Sequence, residues 1–240
     1  MTWLLALLCA AAPVAKPPRI QGLDKPKKEQ RATLGQSPTT EAKVKIRCVD
    51  VGASMLVEVN DPGLMGARAM WLEKKNGTTM PPCDENDSGG THVSGAEEYG
   101  YVEGTKGDFL FVTSSDAFGD RMGVRVFSLL TGAQLYDAEF NLDQPFTVTA
   151  EGKTLVLRFH LAITSTCDPR GDELAACWKQ LREAANVPEG VDIKPPPCDA
   201  VFKGKTGLFN ALIALPVEVD VSKPKPVKYR KGAATCAEAP

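Results

Sequence analysis

The chain has 240 residues, 43% of them apolar and 24% charged, with a net charge of −2. That balance belongs to a globular protein and excludes collagen-like, low-complexity and wholly disordered chains. The near-neutral total also excludes a uniformly basic nucleic-acid binder. It hides a partition, because residues 1–43 carry seven Lys/Arg against three acids, residues 222–240 carry five against one, and residues 44–221 hold a net −10.

In chain order, residues 1–15 read MTWLLALLCAAAPVA, an uncharged apolar and small-residue run. It is too short to span a bilayer, which needs about 20 residues. It fits a secretory signal peptide cut after Ala15, since a cut after Ala12 would leave Pro13 first. No Lys or Arg precedes the run. Leu8 argues against lipid attachment at Cys9, where a small residue should come before the cysteine. The reading is therefore a chain released to the periplasm or the extracellular space, with no transmembrane span.

Residues 16–43 contain Pro17, Pro18, Pro26, Pro38 and a KPKK run with little apolar periodicity, so they read as a disordered basic linker. Residues 222–240 read as a similar basic tail, which Cys236 ties back to the rest. The two tails would make weak contacts with anionic surfaces or stay solvated. Residues 44–221 then form a single β-rich domain.

Within it, Val44, Ile46 and Cys48 alternate with Lys45 and Arg47, and Met55, Val57 and Val59 follow after a Gly-Ala-Ser break, which predicts one or two strands. Residues 61–101 are rich in Gly, Asn, Asp, Pro and Thr and predict long loops. Residues 108–113, DFLFVT, form a buried-type strand. Residues 123–130 and 133–140 flank the Thr131-Gly132 turn as a hairpin, and residues 146–148 pair with 154–163 as another. A helix over 169–186 places Leu174, Cys177, Trp178, Leu181 and Ala185 on one face, with Asp168 as its cap. Residues 208–221 close the domain, with Pro216 marking an edge or a break. The fold class is mainly β, an antiparallel sandwich or open barrel with one disulfide-pinned helix.

Cleavage leaves six cysteines, Cys48, Cys83, Cys167, Cys177, Cys198 and Cys236. In an exported chain an even number reads as three disulfides, with 15 possible connectivities. The expected grouping is Cys48–Cys83 in the first half, with Cys167, Cys177, Cys198 and Cys236 paired among themselves. No Cys-x-x-Cys pair or zinc spacing is present, and no motif calls for a cofactor.

Candidate chemistry is sparse. Asp84, Asn86 and Asp87 match the first half of a calcium loop, but its twelfth position is Gly95 rather than Glu. The run 113–121 holds Ser114, Ser115, Asp116, Asp120 and Arg121, which could build a polar site with Arg158 and His160 from the later strand, or simply a turn rich in side-chain-capped bends. No Gly-x-Ser-x-Gly elbow nominates a nucleophile. Asn76-Gly77-Thr78 and Asn86-Asp87-Ser88 are glycosylation sequons. The stretch VRVFSLLTGAQLYDAEF resembles a single β-propeller blade hairpin, which implies a hairpin; no second copy follows.

Two functional expectations result. The first is a non-enzymatic binding or structural protein of the bacterial envelope, whose partner is an envelope polymer or protein and not nucleic acid. The alternative is a secreted hydrolase-like enzyme with its site around residues 114–121.

Overall fold

The structure is a computed structural model that describes residues 20–64, 66–86, 89–93, 100–115, 121–151, 153–205, 210–224 and 226–239. The expected signal segment and Cys9 lie outside the described residues.

The first five strands are β1 (Glu29–Gln36), β2 (Lys43–Asp50), β3 (Ser54–Asn60), β4 (Ala67–Lys74) and β5 (Thr91–His92), which form one antiparallel sheet in sequence order. The next six are β6 (Tyr101–Lys106), β7 (Phe109–Ser115), β8 (Arg121–Ser128), β9 (Gln134–Asn141), β10 (Thr147–Glu151) and β11 (Thr154–Thr164). A 3-10 turn, Gly171–Glu173, leads into α1 (Leu174–Ala184), followed by β12 (Ile193–Lys194) and α2 (Cys198–Val201). The chain ends with β13 (Ala211–Asp220), β14 (Val227–Tyr229), β15 (Gly232–Ala233) and β16 (Thr235–Glu238). The second sheet runs β14-β13-β11-β9-β8-β7-β6, with β10 added on β11 and β16 on β13.

The mainly β, antiparallel reading with one pinned helix holds. The second sheet forks at β11, which pairs β10 along its first half and meets β9 at Leu161. That fork curls the sheet around Phe111, Val124, Phe140, Phe146, Leu157 and Phe159. Phe146 stacks on Phe159 at 4.9 Å and meets Phe140 edge-on at 5.0 Å. The curl does not close into a barrel. Residues 20–24 lace across its open side instead, with the Gln21 amide donating to the Phe146 carbonyl (2.8 Å) and the Asp24 amide to that of Thr105 (2.8 Å). Gly22 makes this crossing possible, because its φ is +89° and an added Cβ would sit 2.3 Å from the Val148 carbonyl oxygen.

The two sheets pack face to face through Val49, Leu56, Met70 and Leu72 against Leu110, Val112 and Phe127. The outer face of the first sheet buries Ile46, Cys48, Val57 and Trp71 beneath the segment that Cys83 anchors. The disulfides are Cys48–Cys83, Cys167–Cys177 and Cys198–Cys236, in agreement with the expected grouping.

Several expectations are corrected. The stretch read as a disordered linker carries the lace and β1, which pairs with β2 from Glu29↔Val49 to Gln36↔Lys43. Its polar composition misleads because an edge strand needs backbone pairing more than apolar side chains. The stretch read as a C-terminal tail holds β14 to β16, and residues 235–238 pair along residues 211–214. Residues 61–101 are not all loop, since β4 lies there. Its run Met70-Trp71-Leu72 hides the strand period because both faces of the sheet are covered. The helix is shorter than expected, and Asp168 does not cap it but grips Arg170 through two bonds of 2.6 and 2.7 Å. Asn186, at φ +54°, ends it.

Pro216 neither breaks β13 nor puts it on an edge, because it pairs with His160 on β11. Its carbonyl accepts from the Arg230 amide, so its ring nitrogen faces that same side. There β16 has stopped pairing at Ala214 and β14 resumes at Val217, so the missing N–H leaves no ladder bond unmade.

Candidate functional site

Of the residues singled out from sequence for a polar site, the described ones (Ser114, Arg121, Arg158 and His160) line neither of the two grooves that meet at Arg31 and Arg47. Asp116 and Asp120 lie outside the described residues, as does the side chain of Ser115. Ser114 sits opposite Gly123 on β8, where a Cβ would come 2.3 Å from the serine Oγ. Arg121 reaches Glu139 (3.1 Å) and Thr164 (3.4 Å). Arg158 is paired with its cross-strand neighbour Glu218 at 2.9 Å. His160 is half-buried beside Pro216 with no partner for its Nδ1. Burial, and then the charge of Arg230, hold its pKa below the usual value, so the ring is neutral at pH 7. A triad would need a carboxylate on one imidazole nitrogen and a hydroxyl on the other.

The calcium candidate lies only partly within the described residues. The Asp84 carboxylate accepts the Asn86 amide at 3.0 Å, Asp87 lies outside the described residues, and no group of three metal-ligating side chains occurs among the described residues. Asn76 stands exposed on a tight turn closed by its bridge to Thr79.

A different site emerges where the first sheet runs past the edge of the second. Val44, Ile46 and Cys48 point into the outer core, so Lys45, Arg47 and Val49 point towards the second sheet. Val49 is covered by that sheet, but Arg47 and Lys45 lie progressively beyond it. On β1, Arg31 stands directly across from Arg47, and Thr33 across from Lys45. On β3, Glu58 faces Arg47 and Asn60 faces Lys45.

Two grooves of about 440 Å³ each meet at Arg31 and Arg47. The first runs between the sheets and is walled by the lace, Glu29, Leu56 and the strand Val102–Thr105. The second lies on the β1–β2 surface and is lined by Arg31, Ala32, Thr33, Lys45, Ile46, Arg47 and Asn60.

Arg47 is the hinge of this geometry. Its Nη2 is 3.3 Å from the Glu29 carboxylate, and its Nη1 is 3.5 Å from both Glu58 and the Val102 carbonyl. These contacts are long beside the roughly 2.7–2.9 Å of strong charge-assisted bonds. Its Nε is buried with no partner at all. Glu58, only 4% exposed, also accepts the Val102 amide at 3.3 Å. Burial nevertheless pushes its carboxyl above the ordinary range, against the pull of that amide and of Arg47. Burial also works to raise Glu29, but the Arg31 hydrogen bond and the charge of Arg47 outweigh it and hold Glu29 low. Asp24 on the lace is occupied by Lys106 (2.9 Å) and the Gly107 amide (2.8 Å).

The cavity therefore presents an under-used guanidinium fork, two further cations, a hydroxyl and an amide. It can hold an acceptor-rich group, and it offers no activated nucleophile among these side chains. The sequence contained one signal for it: the alternation that buries Val44, Ile46 and Cys48 sets Lys43, Lys45 and Arg47 on one basic face.

These features define a class, an exported type of β-rich protein held by three disulfides, in which no helix among the described residues is long and apolar enough to cross a membrane. Comparison with protein-family models, curated proteins and solved structures finds no match.

Proposed function

We propose that the chain is a non-enzymatic binding protein of the bacterial envelope, exported to the periplasm or beyond, whose paired grooves hold an envelope polymer or protein. The observation that carries this reading is the meeting of two grooves at Arg47, whose donors are incompletely satisfied by the chain itself. Their volume falls within the roughly 300–1,000 Å³ of small-ligand and subunit-sized sites. The disulfides supply the rigidity an exported binding surface needs outside the cell, where chaperones and reductants are scarce.

Retention of the full chain on immobilised envelope polysaccharide and on envelope protein extract tests the reading. Thr105→Trp fills the inter-sheet groove and Thr33→Trp fills the other, both on strands that tolerate an aromatic side chain. Loss of retention in one of them, with melting temperature preserved, is the expected result. Equal retention by wild type and both variants would remove the grooves from the account.

A further inference from the structure

Resting on that reading, we propose that the β1–β2 groove is a site for sulfate or phosphate groups carried on a polyanionic glycan. Residues 25–47 carry seven Lys/Arg and two acids, a net +5 in a chain whose total is −2. The fold does not leave this charge on a tail. It sets Arg31 and Arg47 directly opposite each other and places Lys45 one row further along the same face. Like charges in direct cross-strand register are destabilising. Glu29 relieves part of that repulsion by touching both arginines, and Glu58 lies behind Arg47, but no acid lines the β1–β2 groove itself. Lys45 has no ion pair among the described residues. The arrangement is complementary to an incoming group with several acceptor oxygens: Arg31 and Lys45 offer exposed cations, Arg47 its loosely held Nη atoms and Thr33 a hydroxyl.

The shape narrows the ligand further. A bilayer presents a flat surface, whereas this groove is concave and lies beside an unpaired edge strand, which suits an extended polymer. Nucleic-acid bases would need aromatic platforms, and no aromatic residue lines the groove. A linear polyanion needs only spaced cations and donors, and its binding releases condensed counterions.

The test uses the full chain with dextran sulfate as probe, uncharged dextran as control, and inorganic sulfate, inorganic phosphate and phosphatidylglycerol vesicles as separate arms. Dextran sulfate should bind and dextran should not, and affinity should fall roughly 40-fold for a fourfold rise in salt, as about three released counterions would give. Arg31→Ala/Lys45→Ala, both at exposed positions, should weaken binding by about tenfold or more. Lys179→Ala/Lys231→Ala removes the same charge from remote exposed positions and should change it by less than about twofold. Arg47→Lys keeps the charge but loses the fork, and should fall between the two.

Equal losses in the two double variants would reduce the effect to net charge and overturn the site. Inorganic sulfate or phosphate matching the polymer at equal anion concentration would overturn the glycan, as would vesicle binding lost in the same variants. If dextran sulfate fails while the chain still holds neutral envelope polysaccharide, the ligand class is wrong and the binding reading stands. If dextran sulfate, neutral polysaccharide and envelope protein extract all fail to be held, both fall.

Discussion

The curled second sheet and the five-stranded first sheet solve the burial problem in different ways. The second encloses its own core of aromatic and branched side chains, whereas the buried charged groups among the described residues, Glu58 and Asp61, lie on β3 of the first sheet and just after it. The first places an ion pair, Arg47 with Glu58, at the margin of its inner face and relies on a disulfide to cover its outer one. The comparison teaches where stability and function separate: apolar closure holds the fold, and the sheet that extends past that closure is free to expose charge in a groove.

The largest effect that would break this division lies in the curled sheet. Phe146→Ala removes a side chain only 1% exposed that contacts two other rings, and should cost about 3–5 kcal/mol in denaturant unfolding. A loss below about 1 kcal/mol would show that the curl is not the main core. In the first sheet, replacing Cys48 and Cys83 together by Ala should cost about 2–4 kcal/mol while leaving the fold intact. Complete unfolding would mean that the first sheet has no adequate core of its own.

A paired comparison of glycines sharpens the role of the lace. Gly22 and Gly52 both have left-handed φ, but only Gly22 has a neighbour that a Cβ would strike. Gly52→Ala should cost about 1 kcal/mol from backbone strain alone. Gly22→Ala should cost measurably more, and equal costs would show that the crossing contributes nothing.

How much of this was legible in the sequence follows the same division. The β2–β3 pair was readable because one of its faces alternates cleanly, and the disulfide grouping followed from cysteine position. β1 was not, because its eight residues, EQRATLGQ, contain little that must be buried; only the neighbouring β2 gives them a place. β4 was hidden by the opposite problem, apolar residues on both faces. Pro216 misled because its tolerance depends on where two other strands stop. The grooves could not be read at all, since they arise from the packing of two sheets, although the basic face of Lys45 and Arg47 was already written in the alternation.

The smallest of these effects concerns pH. Burial raises the Glu58 pKa, so the folded chain holds that proton more tightly than the unfolded one. The resulting stability is present at low pH and is lost as pH rises through the ordinary Glu range towards the raised value. The stability of wild type relative to Glu58→Gln should therefore fall as pH rises from the ordinary Glu range towards the raised value. Asp50 runs the other way: the Lys75 hydrogen bond lowers its pKa despite burial, so its contribution is present above the ordinary Asp range and lost as pH falls. A wild-type curve that rises against Glu58→Gln over that interval would contradict the burial of this carboxyl.

The central claim is that the basic N-terminal stretch is a folded wall of a groove rather than a solvated tail. Native-state hydrogen exchange on the full chain, followed in peptides covering residues 20–36, tests it most directly. The predicted result is protection of the Gln21 and Asp24 amides and of the β1 amides that bond to β2, comparable with that of β2 itself. Exchange of this whole stretch at the rate of an unstructured peptide, with β2 and β3 still protected, would contradict it.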